Sequence, residues 1–200
     1  MAGLFSLRRF VLFVDYQNAY MQARRCFATH GARHPVGQFH PVALGELIGA
    51  RLGVSLGQVR VYRGLPHPRH DNRAFTAADR QINAWRRDPR TAVITRPLRY
   101  RGALPPEEKG IDVRLAVDFV AMALRGEYEI AVLLSHDTDL VPAVEAVLEL
   151  VPAVPVQVAA WAPSSRRVNR LRIPGRSLWC HELSAADYAA VADGRDYAKP

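Results

Sequence analysis

Short apolar segments rich in β-forming residues alternate with segments of helical pattern along most of this chain. Two parallel strands cannot be joined by a tight turn, so strands that alternate with helices in sequence usually lie in a parallel sheet. The alternation therefore predicts an α/β fold in which helices cover a mainly parallel sheet. The five predicted strands span residues 10–14, 58–63, 91–95, 129–135 and 154–160.

The helices are predicted from apolar residues that recur at helical spacing. The segment 111–125 is the strongest of them, with apolar residues at Val113, Val117, Val120 and Leu124. Further helices are predicted from after Asn18 to about 29, and over 42–52, 75–87 and 140–151. At 200 residues the chain fits one domain over 1–184, followed over 185–200 by a short helix and a polar tail that we expect to fray.

The composition indicates which kind of partner and which cellular compartment to expect for this chain. The formal charge of +8 comes almost entirely from arginine, whose planar guanidinium binds phosphate well, so RNA is a reasonable partner. A GC-rich coding sequence would give the same arginine content, so both interpretations stay open. The 2 cysteines form no Cys-x-x-Cys pair, which fits a reducing cytoplasm. No apolar run approaches the roughly 18 residues that a membrane span needs, so no membrane association is expected.

Acidic residues follow two of the predicted strands. Asp15 comes directly after the strand 10–14, Asp137 and Asp139 follow the strand 129–135, and Asp112 begins the helix before that strand. Ligands bind outside the carboxyl ends of parallel strands, so these carboxylates can meet there. Without a counterion they would repel each other, whereas Mg²⁺ or Mn²⁺ prefers such oxygen ligands and is often completed by a phosphate. The pattern predicts metal-assisted phosphodiester hydrolysis.

Each of these acids also has a structural interpretation. Asp139 could be the N-cap of a helix that begins at Leu140, and Asp112 could interact favourably with a helix dipole. Asp118 lies about 240° around the helix from Asp112, so the two can scarcely face one small site. A surface ion pair with Arg114, four residues earlier, is the favoured interpretation of Asp118.

Three motifs carry a family resemblance in the right order, over about residues 8–162. They resemble the Asp-x-x-Asn, Lys-Gly-x-Asp and Ser-x-Asp-x-Asp elements of NYN domains, which belong to the PIN-like nuclease superfamily. The chain looks most like the bacterial LabA/DUF88 branch. The matching segments are Asp15-Tyr16-Gln17-Asn18, Lys109-Gly110-Ile111-Asp112 and Ser135-His136-Asp137-Thr138-Asp139.

The resemblance implies a PIN-like three-layer α/β/α sandwich and a divalent-metal-dependent ribonuclease, a phosphodiester hydrolase. The Mg²⁺ or Mn²⁺ would be held by Asp15, Asp112, Asp137 and Asp139, with Asp118 as a further acidic candidate. Asn18 and Ser135 would support the site by hydrogen bonding, and Lys109 would contact phosphate. An alternative is a catalytically weak or inactive NYN module that binds RNA or a protein partner. A homodimer is compatible with either function.

His136 is the main departure from the family pattern, which often has glycine at this position. Glycine permits a positive φ at no steric cost. Because histidine replaces it here, the backbone geometry of the loop is in doubt. His136 could contact substrate, but an exposed turn histidine is the favoured interpretation. A third function, hydrolysis of small phosphate esters with Asp15 as nucleophile, is disfavoured because Gln17 replaces the second aspartate that such enzymes usually carry.

Arginines and aromatic residues give candidates for RNA contact. The segment 164–177 holds five arginines and no acid, which favours contact with phosphates. The predicted RNA-binding residues are Arg63, Arg166, Arg167, Arg170 and Arg172. Tyr62, Tyr100 and Trp161 could stack on bases, although we expect two of the three to be structural. His67, His70 and Asp71 could suggest a metal site, but a polar loop is favoured because prolines interrupt the segment.

Overall fold

Six parallel strands form one central sheet in a computed structural model that describes residues 9–29, 35–102, 104–164 and 167–199. The strand order is β3-β2-β1-β4-β5-β6. The sheet grows in one direction from β1 to β3 and in the other from β4 to β6, so its order reverses between β1 and β4. The strands are β1 (Arg9–Asp15), β2 (Ser55–Leu65), β3 (Thr91–Pro97), β4 (Ile130–Leu134), β5 (Val156–Trp161) and β6 (Cys180–Leu183).

The helices cover both faces of this sheet. Side chains of β1 alternate between two cores: Phe10, Leu12 and Val14 pack with helices α1 and α2, while Val11 and Phe13 pack with α4. The three-layer α/β/α sandwich is therefore confirmed. The helices are α1 (Tyr16–Phe27), α2 (Pro41–Leu52), α3 (Asn72–Trp85), α4 (Ile111–Leu124), α5 (Val141–Leu150) and α6 (Ala185–Val191).

The central strands are buried on both faces, which is why they are continuous apolar runs. All five residues of β4 are buried, and β1 pairs with it in register from Phe10 opposite Ile130 to Val14 opposite Leu134. Parallel strands covered by helices on both sides have this composition. The predicted strands are all present, and β2 is longer than predicted because it extends from Ser55 to Leu65.

The sixth strand was not predicted. In β6 only His181 and Leu183 are buried, while Glu182 is exposed, and the strand pairs with β5 at the edge of the sheet. Short edge strands often carry charged residues. The segment therefore has no apolar run from which a strand could be predicted.

The apolar face of α4 that is evident in the sequence points outward. Val113, Val117 and Leu124 are 60%, 56% and 59% exposed. The buried face of α4 is formed by Ile111, Leu115, Asp118, Phe119, Met122 and Ala123. The helix itself is as predicted, but it is apolar around much of its circumference.

The C-terminal segment packs against the rest of the chain. Val191 lies in the core beside α1 and α2, and the backbone O of Val191 accepts a hydrogen bond from His40 N. Asp193 is buried and accepts hydrogen bonds from the side chains of Arg195 and Tyr197. The short helix predicted in this segment corresponds to α6, and the fraying of the tail beyond it stays a prediction. Among the described residues, no helix has both the length and the apolar character to cross a membrane.

Candidate functional site

Asp15 lies at the carboxyl end of β1 and joins the ends of the two central strands. Its Oδ1 accepts a hydrogen bond of 3.3 Å from Asn18 N, which caps α1, and its Oδ2 accepts one of 3.0 Å from the Ser135 hydroxyl. Ser135 follows β4 directly. The strand order reverses between these two strands, and open α/β sheets bind ligands at such a point.

Burial makes Asp15 a weaker acid than an ordinary aspartate. Its side chain is 9% exposed, and desolvation raises its pKa from 3.8 to about 6. The hydrogen bonds from Asn18 and Ser135 oppose this rise, while the negative charges of Glu108 and Asp137 add to it. A buried carboxylate among other acids is stabilised by any cation that reaches it.

The loop after β4 has the supporting hydrogen bonds that the resemblance implies. Ser135 Oγ accepts from Asp137 N at 3.1 Å, and Asn18 Oδ1 accepts from His136 N at 3.2 Å. Asp137 Oδ1 accepts from Asp139 N at 3.0 Å, so Asp137 is the N-cap of the 3-10 helix Thr138–Leu140 that leads into α5. The interpretation of Asp139 as the helix cap is therefore wrong.

One cleft of about 290 Å³ brings together four of the predicted site residues, Asp15, Asn18, Asp112 and Asp137. Gly110, with φ of 75°, is the N-cap of α4 and places Asp112 in the first turn of that helix. The side of the cleft opposite Asp112 is formed by the ends of β1 and β4. The lining residues are Asp15, Gln17, Asn18, Met21, Glu108, Ile111, Asp112 and Asp137.

Asp139 and Lys109 are not among the residues that line this cleft. Asp139 is exposed on the 3-10 helix, and Lys109 is absent from the lining although Glu108 and Asp112 on either side are present. The cleft therefore contains three of the four carboxylates predicted to hold the metal, and the role of Asp139 stays a prediction. The carboxylates of the cleft are those of Asp15, Asp112, Asp137 and Glu108.

Glu108 is the site residue that the sequence did not predict. Its Oε1 accepts a hydrogen bond of 2.5 Å from Gly64 N, at the end of β2, and burial raises its pKa, with a further rise from Asp112. A Cβ at Gly64 would lie 2.3 Å from a Leu98 carbon and 2.7 Å from Glu108 Oε1, so the contact requires glycine. In the sequence, the only sign of this contact was a glycine at the end of a predicted strand, and it did not indicate that Glu108 packs there.

The donor atoms of the cleft fit a hard divalent cation, but they do not form a closed ligand set. Carboxylates and side-chain amides are the ligands that Mg²⁺ and Mn²⁺ prefer, and buried Asp15 forms no ion pair with a described basic residue. Across the described residues, however, no group of three or more His, Cys, Asp or Glu is close enough to hold a metal ion. Binding would therefore require the carboxylates to move together.

Asp118 belongs to a separate ion-pair network, which corrects its assignment as a metal-site candidate. Its Oδ1 accepts from Arg114 Nε at 2.9 Å, and its Oδ2 accepts from Arg60 at 2.9 Å and from the Tyr62 hydroxyl at 3.0 Å. Burial alone would raise the pKa of Asp118, but these three donors outweigh it and lower the pKa. The favoured pairing with Arg114 is confirmed.

Arg63 also has a structural position rather than the predicted contact with RNA. Its guanidinium lies over the rings of Tyr16 and Trp85, at 5.0 and 5.7 Å from their centroids, and donates to Gln81 Oε1 at 2.6 Å. These contacts enclose the charge beneath α3. Arg63 is therefore partly buried and held by contacts within the protein.

The other predicted arginines lie in an irregular segment before β6. Arg167 and Arg172 are exposed, Arg170 is half-buried and hydrogen-bonds the Cys180 side chain, and Arg166 lies outside the described residues. Leu171 and Ile173 between them are buried in the core beside α4 and α5. The segment therefore alternates apolar anchors with exposed arginines.

The aromatic and histidine candidates are mostly structural. Tyr62 and Trp161 are 1% and 0% exposed, whereas Tyr100 stacks on His70 with ring centroids 4.1 Å apart. Two of the three proposed stacking residues are thus structural, as expected. Asp71 caps α3 by accepting from Ala74 N at 2.8 Å, so the loop with His70 is a polar loop.

His136 does not distort the loop. No described residue other than glycine has a positive φ, so the histidine adopts an ordinary backbone conformation. Its side chain is half-buried rather than fully exposed, and burial, followed by the charge of Arg25, lowers its pKa. Its Nδ1 is buried and has no hydrogen-bond partner among the described residues.

Comparisons with known proteins agree with this geometry. A family model for the NYN domain matches residues 9–168. Among solved structures, a Vibrio parahaemolyticus protein of unknown function is similar, with a TM-score of 0.52 and 16% sequence identity over 78% of this chain and 83% of that protein. At this identity the likeness shows the fold alone. No curated protein matches the chain.

Proposed function

Because this chain belongs to the NYN domain family, whose fold is nuclease-like, we propose that it is a divalent-metal-dependent ribonuclease. Its reaction is the hydrolysis of RNA phosphodiester bonds, with Mg²⁺ or Mn²⁺ as the cofactor. The six-stranded parallel sheet with helices on both faces is consistent with a PIN-like NYN domain. The carboxylate cleft described above is the proposed active site.

A single observation carries this proposal. Four acidic side chains, from three separate segments of the sequence, line one cleft of about 290 Å³ where the strand order reverses. Mutual repulsion makes such an arrangement unfavourable unless it serves a purpose. The raised pKa of Asp15 reflects that cost, and perturbed carboxylates in a cleft often mark functional sites.

We assign the metal-binding role to Asp15, Asp112, Asp137 and Glu108. When bound, the ion supplies a water molecule of lowered pKa and stabilises negative charge at phosphorus. The protein holds Asp15 in place through Ser135 and Asn18, and fixes the Asp137 backbone through the Ser135 hydroxyl. These hydrogen bonds leave the carboxylates oriented by groups that are themselves buried or anchored in helices.

Asp139 and Lys109 lie outside the cleft and have secondary roles in this proposal. Asp139 is exposed beside Asp137, so its carboxylate would contribute through a water molecule or after movement of the 3-10 helix. Lys109 is exposed in the loop before α4, where a flexible ammonium can reach a substrate phosphate. Both residues should therefore matter less than those of the cleft.

The proposal predicts metal-dependent cleavage of labelled single-stranded RNA by the purified chain. Asp15→Asn and Asp137→Asn should each lower the rate by about a hundredfold or more, because each removes a negatively charged ligand of the ion that stabilises charge at the reacting phosphate. Asp139→Asn should cost less than about tenfold by the same reasoning. Glu149→Gln, an equal charge change on an exposed position of α5, is the matched control.

Chelator should abolish cleavage, and Mn²⁺ should restore it. Cleavage that survives chelator, or that Asp137→Asn leaves at the wild-type rate, would show that activity arises elsewhere or from a contaminant. Binding of Mn²⁺ measured by calorimetry on the same variants separates loss of metal from loss of chemistry.

A second candidate function follows from the open arrangement of the carboxylates. Since no closed group of three ligands exists among the described residues, the chain could be an NYN module that binds RNA or a protein without cleaving. RNA binding that depends steeply on salt and is unchanged by Asp15→Asn, with no cleavage in Mn²⁺, would favour this function.

A further inference from the structure

A second, smaller cavity lies beside the carboxylate cleft, on the other side of the loop after β4. It has a volume of about 140 Å³, well below the roughly 300–1,000 Å³ of pockets for drug-sized ligands. We refer to it as the α1 pocket, because helix α1 forms one wall. Its lining residues are Gln22, Arg25, Cys26, His136, Trp161, Pro163, Arg167 and Asn169.

The charge of the α1 pocket is opposite to that of the cleft. Arg25 and Arg167 are both exposed, and neither forms an ion pair with another described residue. The described lining contains no carboxylate. Two guanidinium groups converging on a small space are suited to a phosphate, which they can bind through paired N–H donors.

Two buried polar atoms in the wall lack a hydrogen-bond partner among the described residues: Gln22 Oε1 and His136 Nδ1. The amide orientation of Gln22 is fixed, because its Nε2 donates to the backbone O of Asn169 at 2.7 Å. Its Oε1 can therefore only accept a hydrogen bond, while the imidazole nitrogen can donate or accept according to its tautomer. A ligand hydroxyl, which both donates and accepts, matches this pair.

The α1 pocket lies next to the carboxylate cleft, one turn further along helix α1. Asn18 and Met21 line the cleft, whereas Gln22 and Arg25 line the pocket, so the two sites are separated by about 6 Å along the axis of α1. His136 also connects them, because its neighbour Asp137 lines the cleft and its backbone N donates to Asn18 Oδ1. A polynucleotide in the cleft would run past the pocket.

We propose that the α1 pocket binds the ribose and phosphate of an RNA nucleotide adjacent to the one that is cleaved. Arg25 and Arg167 contact the phosphate, and Gln22 and His136 contact the 2′-hydroxyl. The 2′-hydroxyl is the group that distinguishes RNA from DNA, so this pocket selects the substrate class. The inference rests on the proposed function for the identity of the strand that occupies the cleft.

The test measures binding alone, with chelator present to prevent cleavage. Fluorescence anisotropy compares a single-stranded RNA with the DNA of the same sequence on the full chain. Arg25→Gln and Arg167→Gln should weaken binding of RNA and DNA alike. Each should also reduce the slope of log K against log salt by about 0.7, as expected for one lost phosphate contact on a single strand. Arg87→Gln, an exposed arginine beyond α3, is the control of equal charge.

Gln22→Met separates the hydroxyl contact from the phosphate contact. It should weaken RNA binding about three- to tenfold, the typical effect of one hydrogen bond, and leave DNA binding unchanged. If Gln22→Met does not fold, His136→Ala provides the same comparison, since His136 Nδ1 has no hydrogen-bond partner among the described residues that the substitution would remove. The wild-type chain should prefer RNA over DNA.

The outcomes distinguish the α1 pocket from the proposed function. If the two pocket arginine variants bind RNA like Arg87→Gln, or if both Gln22→Met and His136→Ala keep the wild-type preference for RNA, the inference is overturned even where RNA is cleaved in Mn²⁺. If the variants behave as expected but no condition gives cleavage, the α1 pocket stands and the ribonuclease proposal fails.

Discussion

At the scale of single residues, Asp15 should make the stability of the metal-free protein depend on pH. Its folded pKa of about 6 lies above the unfolded value of 3.8, so the native state binds more protons between these values. Stability should therefore fall as pH rises through this window, by up to about 3 kcal/mol, and then level off. Urea unfolding in chelator at pH 4 to 8 should show that Asp15→Asn removes this fall.

Asp118→Asn provides a control of opposite sign. The pKa of Asp118 is lowered in the folded state, so its ion pairs stabilise the protein above the unfolded pKa, and that stability is lost at lower pH. The free energy difference between wild type and Asp118→Asn should thus grow as pH rises. Parallel curves for wild type and Asp15→Asn would show that Asp15 is not buried as the structure has it.

The sequence predicted the local part of this site and missed the long-range part. Asp15, Asp112 and Asp137 were found because each lies in a motif segment at the end of a predicted strand or the start of a predicted helix. Glu108 was missed because its position depends on a hydrogen bond to Gly64, which lies 44 residues earlier in the chain. Arg63 was misassigned because its burial comes from α3, and nothing local to β2 indicates which arginine that helix covers.

At the scale of elements, α2 packs on the sheet through two glycines spaced four residues apart, Gly45 and Gly49. A Cβ at Gly49 would lie 2.8 Å from Val54 O and 3.1 Å from a Phe10 ring carbon. Alanine is the better helix former by about 1 kcal/mol, but overpacking a core usually costs about 1–3 kcal/mol. Because a backbone oxygen cannot move aside easily, Gly49→Ala should lower the free energy of unfolding by about 1–2 kcal/mol.

Chemical denaturation of Gly49→Ala measures this effect. The matched control is Gly194→Ala, where an added Cβ would have no neighbour within 4 Å, and its stability should change by less than about 0.5 kcal/mol. A Gly49→Ala protein as stable as wild type would mean that α2 can shift away from β1 without loss.

The spacing of apolar residues predicted where the helices and strands lie, but it did not show which face of each element is buried. In α4 the exposed Val113 and Val117 give as good an apolar stripe as the buried Leu115 and Phe119, so the pattern alone does not say which stripe faces the sheet. β6 gave no signal because a short edge strand needs few apolar residues. In both cases the missing information is the position of the neighbouring element.

At the scale of the whole molecule, alternation of strands and helices was sufficient to predict the layers but not the strand order. The reversal between β1 and β4 is what brings the Asp15 and Asp137 segments to one edge of the sheet. The acidic cleft lies in a protein with a formal charge of +8. The positive surface can attract a polyanion, while the cleft itself disfavours a phosphate unless a cation is present.

Metal binding should consequently stabilise the entire fold. A ligand that binds only the folded state contributes about 2.7 kcal/mol at a hundred times its Kd, which raises the Tm of a domain of this size by about 5–10 °C. Mn²⁺ should produce such a rise in wild type and in Asp118→Asn, but not in Asp112→Asn or Asp137→Asn. Because the bound carboxylates must lose their protons, the rise should be larger at pH 7 than at pH 5, across the Asp15 pKa of about 6. Thermal unfolding at both pH values measures it. Equal Tm shifts in all four proteins would place the ion outside the cleft, and the absence of any shift would favour the module that binds without cleaving.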